Sequence, residues 1–188
     1  MWRTAGRQSL VAICLLLCMA LPATSFATDQ IKARADDLKS VYIFNFIRFT
    51  EWPENDSGQG DSATTLNILN NDRILEILEA IAAKPAGRQV GLKLQSCKDE
   101  ACIQGSSVLY IGESEWSGLD PLLKLVDGRP ILTISDIPGF AERGGMIEIK
   151  YHNEKLTFAV NLQAVERAGL YISAQLLQLG DVVGRKNE

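Results

Sequence analysis

The chain has 188 residues, a formal charge of −4 and 46% apolar residues, enough for one domain with a sizeable core. Its mild acidity makes nucleic acid and anionic membrane surfaces poor partners. One histidine and four cysteines leave little material for a metal centre.

Arg3 and Arg7 form a positive n-region, residues 10–21 are an apolar run of short length, and Ser25-Phe26-Ala27 offers small residues at the −3 and −1 positions of a cleavage site. This reads as a cleavable export signal over residues 1–27 followed by an exported domain over residues 28–188. A retained anchor needs about 20 apolar residues, and Leu17 before Cys18 does not suit a lipoprotein site. Cleavage removes Arg3 and Arg7 and no acid, leaving 17 basic and 23 acidic residues, a formal charge of −6. It also removes Cys14 and Cys18, so Cys97 and Cys102 remain, and in an oxidising compartment they read as one disulfide. Closing so small a loop contributes about 2 kcal/mol. The spacing is wider than that of Cys-x-x-Cys redox sites.

Residues 32–49 carry a helical pattern, with Ala35, Leu38, Tyr42, Phe46 and Phe49 as one apolar stripe. Val41, Phe44 and Ile47 widen it, and Trp52-Pro53 ends it, because the residue before proline is driven from helical dihedrals. This helix is too apolar for one wet side and too short to span a bilayer. The stripe is expected in the core. Phe44, Ile47 and Trp52 are the residues where exposure would mark a partner surface.

The stretch 54–65, rich in Gly, Ser and Asp, reads as a loop. Beyond it the pattern alternates: strand 66–69, helix 72–83, strand 90–94, strand 107–111, helix 116–126, strand 130–134. Ile147, Ile149 and Tyr151 share one face, as do Leu156, Phe158 and Val160, which predicts an antiparallel hairpin. Asn161 then caps a last helix with a core stripe of Val165, Ala168, Ile172, Leu176 and Leu179, and Gly169 inside it implies close packing. The fold class is a single compact α/β domain with a mixed, mostly parallel sheet, helices on its faces and a C-terminal hairpin plus helix.

No catalytic constellation emerges. Ser135 next to Asp136 needs a base, and the sole histidine, His152, falls at a hairpin tip with nothing to orient it. Capping of a short turn at Pro138, ended by a positive φ at Gly144, explains the stretch better. Its glycines match neither a dinucleotide fingerprint nor a P-loop. Glu113 and Glu115 read as helix-capping residues. No cofactor and no metal site is expected.

Taken in order, Tyr42, Asn45-Phe46, Phe49 and Glu51-Trp52-Pro53, then Val108-Leu109-Tyr110-Ile111 with Ser114-Glu115, form a pattern. It continues with Pro130-Ile131-Leu132-Thr133-Ile134-Ser135-Asp136, Pro138-Gly139-Phe140, Gly144-Gly145-Met146-Ile147, Phe158, Asn161 and Ala168-Gly169-Leu170. This pattern resembles the YfiR-like family over nearly the whole mature chain. The resemblance implies a periplasmic regulator without catalysis. Such a regulator restrains an inner-membrane diguanylate cyclase through its periplasmic portion, and its release raises cyclic-di-GMP and favours biofilm formation. It also implies a compact α/β fold and association as a homodimer. With one mature cysteine pair, a redox scheme that uses two disulfides cannot operate within one chain. The competing expectation is a small-ligand-binding periplasmic module with an apolar pocket between sheet and helices.

Overall fold

Apolar residues recurring every second position become strands in this chain, and those recurring every third or fourth become helices. The computed structural model describes residues 24–53, 64–153 and 155–184. Nearly all of the expected signal peptide, and most of the loop at 54–65, lie outside them. By its contacts the chain divides into Met1–Ala33 and Arg34–Glu188, and the architecture below is that of the second unit. The first helix, α1 (Thr24–Arg48), enters that unit at Arg34. No described helix is long and apolar enough to cross a membrane.

After α1 come β1 (Thr50–Glu51), β2 (Thr65–Leu69), α2 (Asp72–Ala82), α3 (Pro85–Val90), β3 (Lys93–Cys97) and β4 (Val108–Ile111). They are followed by α4 (Leu119–Val126), β5 (Leu132–Ser135), β6 (Ile147–His152), β7 (Lys155–Asn161), α5 (Leu162–Arg167), β8 (Tyr171–Ile172), α6 (Ala174–Leu177) and β9 (Asp181–Val183). Seven strands form one sheet in the order β3-β2-β4-β5-β6-β7-β9, with β3 and β9 as its edges. Neighbours from β3 to β6 are parallel, β7 runs antiparallel to β6, and β9 is parallel to β7. A second, two-stranded sheet pairs β1 with β8 antiparallel. This is the mixed, mostly parallel α/β fold that the sequence pattern predicts.

The central strands are buried on both faces, as parallel strands must be when helices cover them. In β4, Val108 and Tyr110 join the core under α1, while Leu109 and Ile111 join the core under α4. The α1 core takes Ile43, Phe44, Phe46 and Ile47 from that helix, Ile74 and Leu78 from α2, and Phe158 from β7. Phe46 and Phe158 meet edge-on with centroids 4.9 Å apart. The opposite core gathers Leu119, Leu122, Leu123 and Val126 of α4 with Ile137 and Phe140.

The turn between β5 and β6 is fixed by polar side chains reaching into it. Glu148 accepts from the Gly139 and Ala141 amides, both at 3.1 Å. Asn161 Nδ2 donates to the Ala141 carbonyl at 2.7 Å, and its Oδ1 caps α5 by accepting from the Ala164 amide. Gly144 has φ +108, as its place in the turn predicts, and Gly145 lies so close to the Phe140 ring that a Cβ would sit 2.1 Å from it.

Three expectations need correction. The strand expected over 90–94 is instead α3 followed by β3: Pro85 stands in the first turn of the helix, and Gly91, with φ +64, ends it. The helix expected over 116–126 opens as a 3-10 turn, Glu113–Gly118. Pro121, which lacks an N–H, is tolerated only in the first turn of the α-helix, and that helix accordingly starts at Leu119. The last helix is broken. Gly169 (φ +69) donates to Glu166 O and Leu170 to Val165 O, the bond pair of a Schellman ending. The chain then turns into β8, α6 and β9, with Ser173 Oγ capping α6.

Cys97 ends β3, and Cys102 lies in the 3-10 turn Glu100–Ile103 that follows. The two are joined as a disulfide with Cα atoms 5.9 Å apart. Gly145→Ala is expected to destabilise the domain by about 1–3 kcal/mol through forced overpacking on Phe140. The readout is a lower denaturant midpoint at unchanged slope, and an unchanged midpoint would contradict the packing. In a chain beginning at Thr28, a thiol assay on the unreduced, denatured protein should find no reactive cysteine. Two titratable thiols would contradict the crosslink.

Candidate functional site

The strand order creates a switch point. From β2 the chain crosses to β3 on one side, then returns past β2 to β4 and continues outward to β5. In open α/β sheets, the crevice beyond the carboxyl ends of two such strands is where ligands bind. Here Asn70 and Asn71 follow β2, Gly112 follows β4, and Asp136 follows β5.

The crevice is filled by the chain itself. Gly112 N–H donates to Leu69 O at 3.0 Å, and a Cβ on Gly112 would lie 2.9 Å from both Leu69 O and Asn70 O. Asn70 adopts φ +53 and donates from Nδ2 to Glu115 Oε1 at 2.7 Å, so Glu115 braces the crevice rather than capping a helix. Beside this contact, Tyr110 OH donates to Asp136 Oδ1 at 3.0 Å, and Lys39 of α1 donates its ammonium to Asp136 Oδ2. Lys39 also lies 3.7 Å from Asp36, and all three charged side chains are nearly buried.

Burial pushes the Tyr110 pKa well above its ordinary value, and the Asp136 and Asp36 charges add to the shift. A hydrogen bond with Asn71 pulls the other way with smaller effect. The phenol therefore stays protonated and keeps donating. The role of this cluster is mechanical: one carboxylate ties a helix to two neighbouring strands through charge-assisted bonds.

The residues singled out from the sequence fall in different places. Phe44 and Ile47 are 7% and 3% exposed, so neither offers the surface expected of it. α2 contributes Ile74 and Leu78 to the same core. The exposed large apolar side chains among the described residues of α1 are Ile31 and Val41. Trp52 is half-buried, and its Nε1 donates to Ser107 O at 3.3 Å.

Trp52 belongs to a rim that the sequence pattern did not reveal. Glu51 pairs with Tyr171 across the β1–β8 ladder, and Tyr171 is 57% exposed. Pro53, also exposed, approaches Gly169. The signal for Tyr171 was Gly169: read as a helix-ending glycine, it predicts an extended segment directly after it.

Ser135 is fully buried. Its Oγ donates to Ile111 O at 2.8 Å and accepts from Ile137 N–H at 3.1 Å, which fixes the start of the turn as capping predicts. His152 is exposed at the end of β6, paired with Lys155, whereas Ser135 is buried in β5, so the serine and the histidine do not form a nucleophile–base pair. The disulfide serves its loop: Asp99 Oδ1 accepts from Ala101 N–H, and the Cys102 carbonyl accepts from Asn67 Nδ2 and Ser106 Oγ. Among the described residues no group of three or more His, Cys, Asp or Glu side chains is placed to hold a metal ion.

Comparison with known proteins bears on these features. Among solved structures, the chain is similar to a conserved domain protein from Vibrio cholerae O1 biovar El Tor strain N16961, with a TM-score of 0.58 at 12% identity. The match covers 78% of this chain and 59% of that one, and at this identity it concerns the fold alone. A comparison with curated proteins finds no match. The YfiR/HmsC-like profile matches residues 36–181. That span takes in the Asp36–Lys39 turn of α1, the switch-point cluster, the Trp52 rim and the glycine-bearing turn after β5, and the chain belongs to the YfiR/HmsC-like family.

Proposed function

We propose that the chain is a periplasmic regulatory binding protein that restrains an inner-membrane diguanylate cyclase through the cyclase's periplasmic part, and so lowers cyclic-di-GMP. The observation that carries this reading is the family match over residues 36–181, the family being one of periplasmic regulators of such cyclases. On this reading residues 1–27 are a cleaved export signal and residues 28–188 the mature domain, which self-associates as a homodimer.

The filled switch-point crevice favours protein binding over a small-ligand module, because Gly112, Asn70 and Glu115 close the gap between the ends of β2 and β4. The partner surface in this reading is the rim of Trp52, Pro53 and Tyr171. Phe44 and Ile47 contribute from beneath by holding α1 in place. Restraint works by differential affinity: the inactive form of the cyclase is favoured only by as much as this protein binds it more tightly than the active form.

Two outcomes are expected. Pull-down from a membrane fraction should recover an inner-membrane signalling protein, and deletion of the chain should raise cyclic-di-GMP. Recovery of no such protein, with cyclic-di-GMP unchanged, would sink the proposal. Tyr171→Glu, at an exposed position, should weaken the captured complex by about tenfold or more with the thermal midpoint unchanged. Unaltered affinity would remove the rim from the interface while leaving the partner in place.

A further inference from the structure

On the face opposite α1, helix α4 presents a ridge of Asp120 and Lys124, with Asp127 just past its end. Arg143 of the turn after β5 and Arg167 at the end of α5 face this ridge across an open groove of about 280 Å³. Arg143 Nε and Nη2 both donate to Asp120 Oδ1, at 3.0 and 2.7 Å. Its guanidinium carbon stands 5.0 Å from the centre of the Trp116 ring, within cation–π range. Trp116 itself is 51% exposed. Arg167 Nε donates to Asp127 Oδ1 at 3.2 Å. Lys124 makes no hydrogen bond or ion pair with any described residue.

We propose that this groove is a docking surface for an acidic, extended segment of a partner protein. Three cations face two carboxylates, so the groove is locally positive on a chain whose formal charge is −4. Both carboxylates already accept from an arginine. A guanidinium carries five N–H donors, and the bonds above use two of Arg143 and one of Arg167. Donors therefore remain for incoming carboxylates, together with the whole of the Lys124 ammonium.

A basic segment would meet three like charges, and an apolar one would strip water from them without replacing its hydrogen bonds. A flat anionic membrane would be repelled by the acidic remainder of the chain, whereas a narrow segment need touch only the groove. Trp and Arg dominate interface energetics. Here each holds the other in place before binding, which lowers the ordering cost of association.

This surface does not rest on the regulatory reading. Trp52 bonds to Ser107, just before β4, and Trp116 follows β4, so the two aromatic sites stand at opposite ends of one strand. Both can be engaged at once.

The test is a titration of the purified protein with a heptaglutamate peptide, followed through the indole N–H resonances, with Trp116→Phe assigning the signal. A saturable shift of the Trp116 resonance is expected while the Trp52 resonance stays still. Lys124→Glu and Arg167→Glu, both at exposed positions, should each weaken binding by about tenfold, and Lys124→Gln by less. Raising the salt from about 50 to about 300 mM should weaken it as well, since screening shortens the reach of these charges. Heptalysine should cause no shift. The proposal is overturned if heptaglutamate leaves Trp116 unmoved, if the shift survives both charge reversals with folding intact, or if vesicles rich in anionic lipid compete with the peptide. Because the readout is binding of a defined peptide, it is separable from the capture of a membrane partner.

Discussion

One carboxylate, that of Asp136, accepts from the Lys39 ammonium on α1 and from the Tyr110 hydroxyl on β4 while standing at the end of β5. A charge this far from water is tolerated only when it is paired and hydrogen-bonded, so the three elements have to arrive together. The apolar packing of α1 is broad and spread over Ile43, Phe44, Phe46 and Ile47, and apolar contacts alone leave a helix some freedom to slide or rotate. The polar contact removes that freedom by specifying one register.

Much of this fold is readable in the sequence because periodicity reports burial directly. The hairpin of β6 and β7, the double-faced burial of β4 and β5 and the Asn161 cap each follow from local pattern. The failures also have a local cause. Val90-Gly91-Leu92-Lys93-Leu94 alternates like a strand, and only the helix-ending conformation of Gly91 divides it. Val165, Ala168, Ile172 and Leu176 are buried, as a helical stripe predicts, but two short helices and a strand deliver them to the core, and Leu179, expected in the same stripe, is 72% exposed. Spacing alone does not reveal the break at Gly169.

The candidate surfaces were less legible than the fold. Lys39 and Asp136 are 97 residues apart, and no local pattern pairs them. Phe44 and Ile47 are buried in a core that draws on other helices as well as the sheet, so counting apolar residues on the helix overestimated its free surface. Trp116 stands among polar neighbours and Tyr171 within the apolar run Leu170-Tyr171-Ile172, and a single exposed aromatic carries no signal until the fold gives it company. The result is a domain with aromatic side chains displayed at both ends of β4.

The Cys97–Cys102 bond has a further consequence through its place on an edge strand. Among the described residues β3 has one flank unpaired, which is a template for strand addition by another chain. Its exposed side chains are Lys93, Gln95 and Ser96, polar groups that make such addition unfavourable. The crosslink folds the end of the strand back into a tight turn, so the unpaired flank stops where the bridge begins. That staple shortens the stretch of open edge at which another strand could add.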